Sequence, residues 1–249
     1  MTVEVPPAVW LFSDSTVKQG HAHLVARYFE SNPGPIQIRI GKTPIHLIPD
    51  LGDAFSWENA FERLRETRLT YKIPANEIIY LLTALPNENN WYCFEDPDFI
   101  FNAVGHVGDY AWVTRAASEV ISSHYVLKTV FNVMLGNIGL SLDQLMHEQM
   151  RGCFYDFCEN KSQLDFKLRT GDICGDCLNL FTEKGIPQEL LAQTVNIMEA
   201  LRRVTVSTGP YLPTQDVYDR WPFPVAITRH KAAQATNATN RLKYHSSII

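Results

Sequence analysis

The chain has 249 residues, 45% hydrophobic and 20% charged, with a net charge of -5. This is globular composition, sufficient for one large domain or two tightly joined ones. The acidic balance argues against a protein built mainly to bind nucleic acid, and the longest apolar runs, such as "IIYLL", are too short to cross a bilayer.

The N-terminal "MTVEVPPAVWLFSDS" has no basic stretch followed by an apolar one, so no signal peptide is expected and a cytoplasmic location follows. "AVWLFSD" (8–14) reads as a buried strand. "STVKQGHAHLVARYFES" reads as a helix capped by Asp14 or Ser15 and ended by Pro33, Gly34 and Pro35. "IQIRI" and "PIHLI" are short strands around a Gly41-Lys42 turn. Trp57, Ala60, Phe61 and Leu64 recur at helical spacing and predict an amphipathic helix over 56–68.

"EIIYLLT" (77–83) is apolar throughout, as a central strand would be. "NWYCFED" and "YAWVTR" are further strand candidates, followed by a long helix over 118–136. "SLDQ" (141–144) has the form of a capping box, which places His147 and Glu148 on a short helix. "PQELLAQTVNIMEALRRV" (187–204) is a last helix with Pro187 in its first turn. Strands interleave with helices, so the expected class is mixed α/β, a central mixed sheet flanked by helices. A single domain is expected over 1–224, followed by a polar, mildly basic tail at 225–249.

Four of the five cysteines fall in 25 residues as Cys153-x4-Cys158 and Cys174-x2-Cys177. Two short-spaced pairs bring four thiolates onto one tetrahedral ion, and in a reducing compartment metal ligation is favoured over disulfides. One structural zinc per chain is therefore expected, in a segment spanning 147–180. Four thiolates leave no open position, so this site stabilises a fold and does not activate water. A redox Cys-x-x-Cys would open a helix, and no such helix is evident in the sequence. Cys93 stands apart, with core packing as its expected role.

His147-Glu148 begins a peptidase zinc motif, His-Glu-x-x-His, but Arg151 stands where the second histidine belongs. His147 is expected near the zinc without binding it, donating a ring N–H to a sulfur or carbonyl, and Glu148 is expected to pair with Arg151. Two rival readings remain. One is a metal-dependent hydrolase using His147 and Glu148, or a site assembled from His106, Asp109 and His124; the other is a zinc-ribbon-like nucleic-acid binder. His21 and His23 point to different faces of the first helix. Arg151, Lys161, Lys167 and Arg169 are interspersed with Asp156, Glu159 and Asp165, which reads as a solvated surface.

The cysteine half resembles the archaemetzincins, a metallopeptidase family with a catalytic His-Glu-x-x-His-x-x-Gly-x-x-His followed by Cys-x4-Cys and, further on, Cys-x2-Cys. The resemblance covers roughly residues 77–180, with "YAWVTR" and the 118–136 helix in the order of that family's strand and catalytic helix. It implies a metzincin-like fold. Laid on "NVMLGNIG", the catalytic motif puts Asn132 and Gly136 at the first two histidines, Val133 at the glutamate and Gly139 at the glycine. Gly152 precedes Cys153 where a third histidine would stand, and "LSLDQLMHEQMR" separates the two halves. The resemblance thus implies a chain that kept the structural cluster and lost the catalytic one. The function that follows is a catalytically degenerate protein that binds or regulates another protein in a complex.

Overall fold

Five strands form one sheet in the order β2-β1-β3-β5-β4. They are β1 (Val9–Ser13), β2 (Ile38–Ile40), β3 (Ile78–Thr83), β4 (Cys93–Glu95) and β5 (Asn102–His106). β2, β1, β3 and β5 run parallel, and β4 pairs antiparallel with β5, so the sheet is mixed. Six α-helices are described with it: α1 (His21–Glu30), α2 (Trp57–Tyr71), α3 (Ser118–Asn137), α4 (Gln163–Thr170), α5 (Gly175–Glu183) and α6 (Gln188–Ser207). The computed structural model describes residues 5–6, 8–108, 110–111, 113–140, 144–158, 161 and 163–209. The expected tail at 225–249 lies outside them. No helix among the described residues is long and apolar enough to cross a membrane.

β3 is central and buried at all six positions, which explains its unbroken apolar run. Its side chains alternate between two cores. Ile78, Tyr80 and Leu82 pack with α1, α3, α4, α5 and α6, whereas Ile79 and Leu81 pack with Phe12, Val104 and the Trp57, Ala60, Phe61 and Leu64 stripe of α2. Because β1 pairs directly with β3, the N-terminal quarter shares its sheet with the rest of the chain.

Several boundaries differ from the sequence reading, each for a local reason. Asp14 extends β1 as an isolated bridge to Ile45, and its side chain accepts the Thr16 N–H at 2.6 Å. This side-chain turn delays the first helix to His21, with Gly20 at its N-cap at a φ of 86°. "PIHLI" contributes only the Ile45 bridge and no strand, since Pro44 has no N–H to give the ladder. "YAWVTR" is not a strand in its described residues. Tyr110 accepts N–H groups from Val113 and Thr114, which winds the chain into a turn, and the strand sits earlier as β5. β5 contains Gly105 because a Cβ there would lie 2.2 Å from the Tyr80 hydroxyl.

α3 and the segment after it decide what lies near the cysteines. α3 runs Ser118–Asn137, almost as expected, and closes with Leu140 N–H bonded to the Leu135 carbonyl at 3.0 Å and Gly139 at a φ of 79°. Ser141–Asp143 of the expected capping box lie outside the described residues. His147 is not helical. It forms a bridge with Asp156, held by His147 N–H to Tyr155 O at 3.2 Å and Phe157 N–H to His147 O at 2.9 Å.

Candidate metal centre

Two short backbone pairings gather the site. The first sets His147 beside Tyr155–Phe157. In the second, Phe154 N–H bonds Asp172 O at 2.7 Å and Asp172 N–H bonds Gly152 O at 3.0 Å, which lays residues 171–173 beside 152–154. Cys174 follows at once and is the N-cap of α5, with Cys177 in that helix's first turn. The Cys-x-x-Cys pair therefore does open a helix, contrary to the sequence expectation.

The result is a group of four potential ligands, His147, Cys153, Cys174 and Cys177, whose donor atoms lie within 4.8 Å of one another. His147 Nε2 is 3.4 Å from Cys177 Sγ and 3.8 Å from Cys174 Sγ, and Cys153 Sγ is 3.8 Å from Cys177 Sγ. An ion ~2.3 Å from sulfur and ~2.0–2.1 Å from nitrogen, at tetrahedral angles, spaces two sulfurs by ~3.8 Å and a sulfur and nitrogen by ~3.5 Å. These three separations are close to that tetrahedron's edges and the other donor pairs lie within 4.8 Å, so the group could hold a metal ion.

This membership differs from the sequence reading in two places. His147 stands at the sulfurs, within the hydrogen-bonding distance expected of its ring, and is in addition a potential ligand. Cys158, expected as the fourth thiolate, is not in the group; it is half-buried and packs against the main core. Burial pushes its thiol up, against the pull of Lys167 and Lys128. Glu148 is exposed and outside the group, and Arg151 pairs with Asp176 at 2.9 Å instead of with Glu148.

The thiols are polarised by their surroundings. The sulfur–sulfur hydrogen bond with Cys177, at 3.8 Å, and the backbone N–H groups of Cys174, at 3.5 Å, and Tyr155 hold the Cys153 thiol well below its ordinary range. The same contact, followed by burial, pushes the Cys177 thiol up. A bound divalent cation would hold all three sulfurs as thiolates.

Asp156 is the residue that sequence reasoning missed. It is fully buried, and its Oδ2 accepts the N–H groups of Arg151, Gly152 and Cys153 at 2.8, 2.7 and 2.9 Å. Its Oδ1 lies 3.1 Å from His147 Nδ1. Lys167, also buried, donates to the Asp156 carbonyl at 2.7 Å, and burial pushes its ammonium down to about 7. The expected solvated face is thus partly interior, because charge alternation in sequence does not report which side chains turn inward. The available signal was Gly152-Cys153-x-x-Asp156, a glycine and an aspartate bracketing a tight turn.

Gly152 carries a testable consequence. Its φ is 83°, and a Cβ there would sit 3.1 Å from the Thr170 side chain. Gly152→Ala should destabilise the protein by roughly 1–2 kcal/mol from the left-handed backbone alone. A melting temperature lowered by about 4 °C is the expected reading, and no change would count against the turn geometry.

The other candidates lie elsewhere. His106 Nδ1 is 2.8 Å from the Tyr110 hydroxyl, and burial followed by Lys161 lowers its imidazole to about 4. His124 is packed by Tyr125 and Phe154, and burial holds it well below its ordinary value. Neither belongs to a described group of potential ligands, and Asp109 lies outside the described residues. On α3, Asn132 donates to Glu95 Oε1 at 2.9 Å, Val133 is fully buried and Gly136 is exposed. Asn132 thus bonds the edge strand and Val133 fills the core, whereas Gly136, on a helix end expected to be buried or semi-buried, stands at the surface. Cys93 is half-buried, 3.4 Å from Thr129 Oγ1. His21 is buried against Ser122 at 3.0 Å while His23 is exposed.

No family model matches the chain, and no curated protein matches it. Among solved structures, it is similar to archaemetzincin (AmzA) from Archaeoglobus fulgidus, whose crystal structure was determined in complex with malonate. The two share 14% sequence identity over 69% of this chain and 98% of that chain, with a TM-score of 0.43.

Proposed function

We propose that this chain is a zinc-stabilised α/β protein on a decayed metallopeptidase-like scaffold, acting in the cytoplasm by binding or regulating another protein. The observation that carries the reading is the set of four convergent donors, one imidazole and three sulfurs, all within 4.8 Å of one another and with three separations close to a tetrahedron's edges. His147, Cys153, Cys174 and Cys177 would hold the ion. Three soft thiolates and an imidazole favour zinc over a hard cation. Four protein ligands fill a tetrahedral ion, and a filled site supplies folding energy instead of an activated water. The metallopeptidase scaffold is suggested by the cysteine spacing, and the loss of catalysis by Asn132, Val133 and Gly136 at the positions that would carry ligands and base.

Metal analysis of the purified full chain should give one tightly held zinc. Glu148 is exposed and outside the ligand group, so Glu148→Ala should leave zinc content, melting and partner capture unchanged. A second, exchangeable ion, or a peptidase or nuclease turnover that Glu148→Ala abolishes, would overturn the reading in favour of a hydrolase.

A further inference from the structure

We infer that Asp156 is the positioning residue that makes this a three-thiolate, one-imidazole site and keeps Cys158 out of it. The inference rests on the zinc reading above and goes further, by naming what selects the fourth ligand. Two residues near Cys153 can fill that position. Cys158 is five residues along the chain and half-buried; His147 is six residues back.

The two oxygens of Asp156 divide the work. Oδ2 takes three consecutive backbone N–H groups, from Arg151, Gly152 and Cys153, and so fixes the turn that presents the Cys153 sulfur. Oδ1 faces His147 Nδ1 at 3.1 Å. With three donors on one oxygen and a ring nitrogen on the other, the carboxylate serves as an acceptor on both sides. The ring proton then belongs on Nδ1. That leaves the lone pair on Nε2, the nitrogen that stands 3.4 and 3.8 Å from the Cys177 and Cys174 sulfurs. One buried side chain therefore sets both the tautomer and the aim of the imidazole. Lys167, bonded to the Asp156 carbonyl, anchors the same residue from its backbone side. Cys158, two residues beyond Asp156, is turned to the main core, within electrostatic reach of Tyr92 and Tyr125.

Asparagine cannot replace this carboxylate, although it has the same shape. If its oxygen accepts the three backbone N–H groups, its NH2 faces His147 Nδ1. The ring proton must then move to Nε2, where it blocks metal binding. If the amide is flipped, its NH2 meets three N–H donors and the Cys153 turn opens. In either orientation His147 leaves the site, and the vacated position falls to the nearest spare thiol, Cys158.

Cobalt(II) substitution of the full-length chain reads the ligand set, because sulfur-to-cobalt absorption grows with each thiolate. The wild-type protein and Cys158→Ser should both show three thiolates and one nitrogen, with equal zinc affinity. Asp156→Asn should bind zinc roughly 10- to 100-fold more weakly. Its cobalt spectrum should gain a fourth thiolate, which disappears in the Asp156→Asn/Cys158→Ser double variant. A four-thiolate wild-type spectrum overturns the inference, as does loss of one thiolate in Cys158→Ser; both comparisons stand even if Asp156→Asn fails to fold. A folded Asp156→Asn protein that keeps the wild-type spectrum also overturns it, as does a changed spectrum to which Cys158 does not contribute. Each of these leaves the zinc reading intact. A wild-type chain that binds neither zinc nor cobalt sinks the zinc reading and this inference together.

Discussion

Replacing Cys153 or Cys177 with serine is expected to cost the protein its metal and the order of the segment around it. Both sulfurs are almost fully buried, and they stand 3.8 Å apart. A serine hydroxyl is a poor zinc ligand, and the variant would leave a polar group inside a nearly closed site. Structural zinc sites in small peptides carry an apparent binding free energy of about 10–16 kcal/mol, which is folding energy where no site preforms. Here the sheet and α2 have their own core, so the loss should be regional: residues 147–183 should become protease-sensitive and exchange amide hydrogens quickly. Chelation of the wild-type protein should reproduce the effect, and zinc should reverse it. Zinc stoichiometry and hydrogen exchange on Cys153→Ser provide the measurement. A metal-free variant with unchanged melting and unchanged protection over 147–183 would show that the segment folds without an ion.

Phe154→Ala is expected to be nearly as damaging although Phe154 is not a ligand. The residue is fully buried between Cys153 and Tyr155, and its ring lies against His124 at 5.2 Å, Phe131 at 5.8 Å and Tyr155 at 5.2 Å. It is the anchor that ties the metal segment to α3. Truncation removes a large apolar surface and leaves a cavity beside a histidine whose Nε2 has no hydrogen-bond partner among the described residues. The loss should be about 3–5 kcal/mol, read as a fall of roughly 10 °C in melting temperature. Zinc affinity should fall with it, since part of the binding energy is then used to order the segment. A stable Phe154→Ala protein with weakened zinc binding would separate anchoring from global stability, whereas no change in either would refute the anchor.

The sequence by itself determined the alternation of strands and helices, the central buried strand, α2, α3, α6 and the neighbourhood of a cluster that could bind a metal ion. These are local or periodic signals: β3 is apolar at every position because it is covered on both faces, and α2 repeats its apolar residues at helical spacing. Three of the four potential ligands were legible for the same reason, as short-spaced cysteines. The fourth was not. Cys158 fits the spacing as well as any cysteine, but spacing is one-dimensional: Cys158 packs against the main core and stands outside the group that His147 joins. His147 and Asp156 lie nine residues apart in sequence and meet only because a backbone bridge lays 147 beside 156. Lys167 joins them from α4, a helix too short and too mixed in charge to show a strong pattern. Which donor would face a metal ion depends on which groups share a buried turn, and that is set by long-range pairing that no local pattern carries.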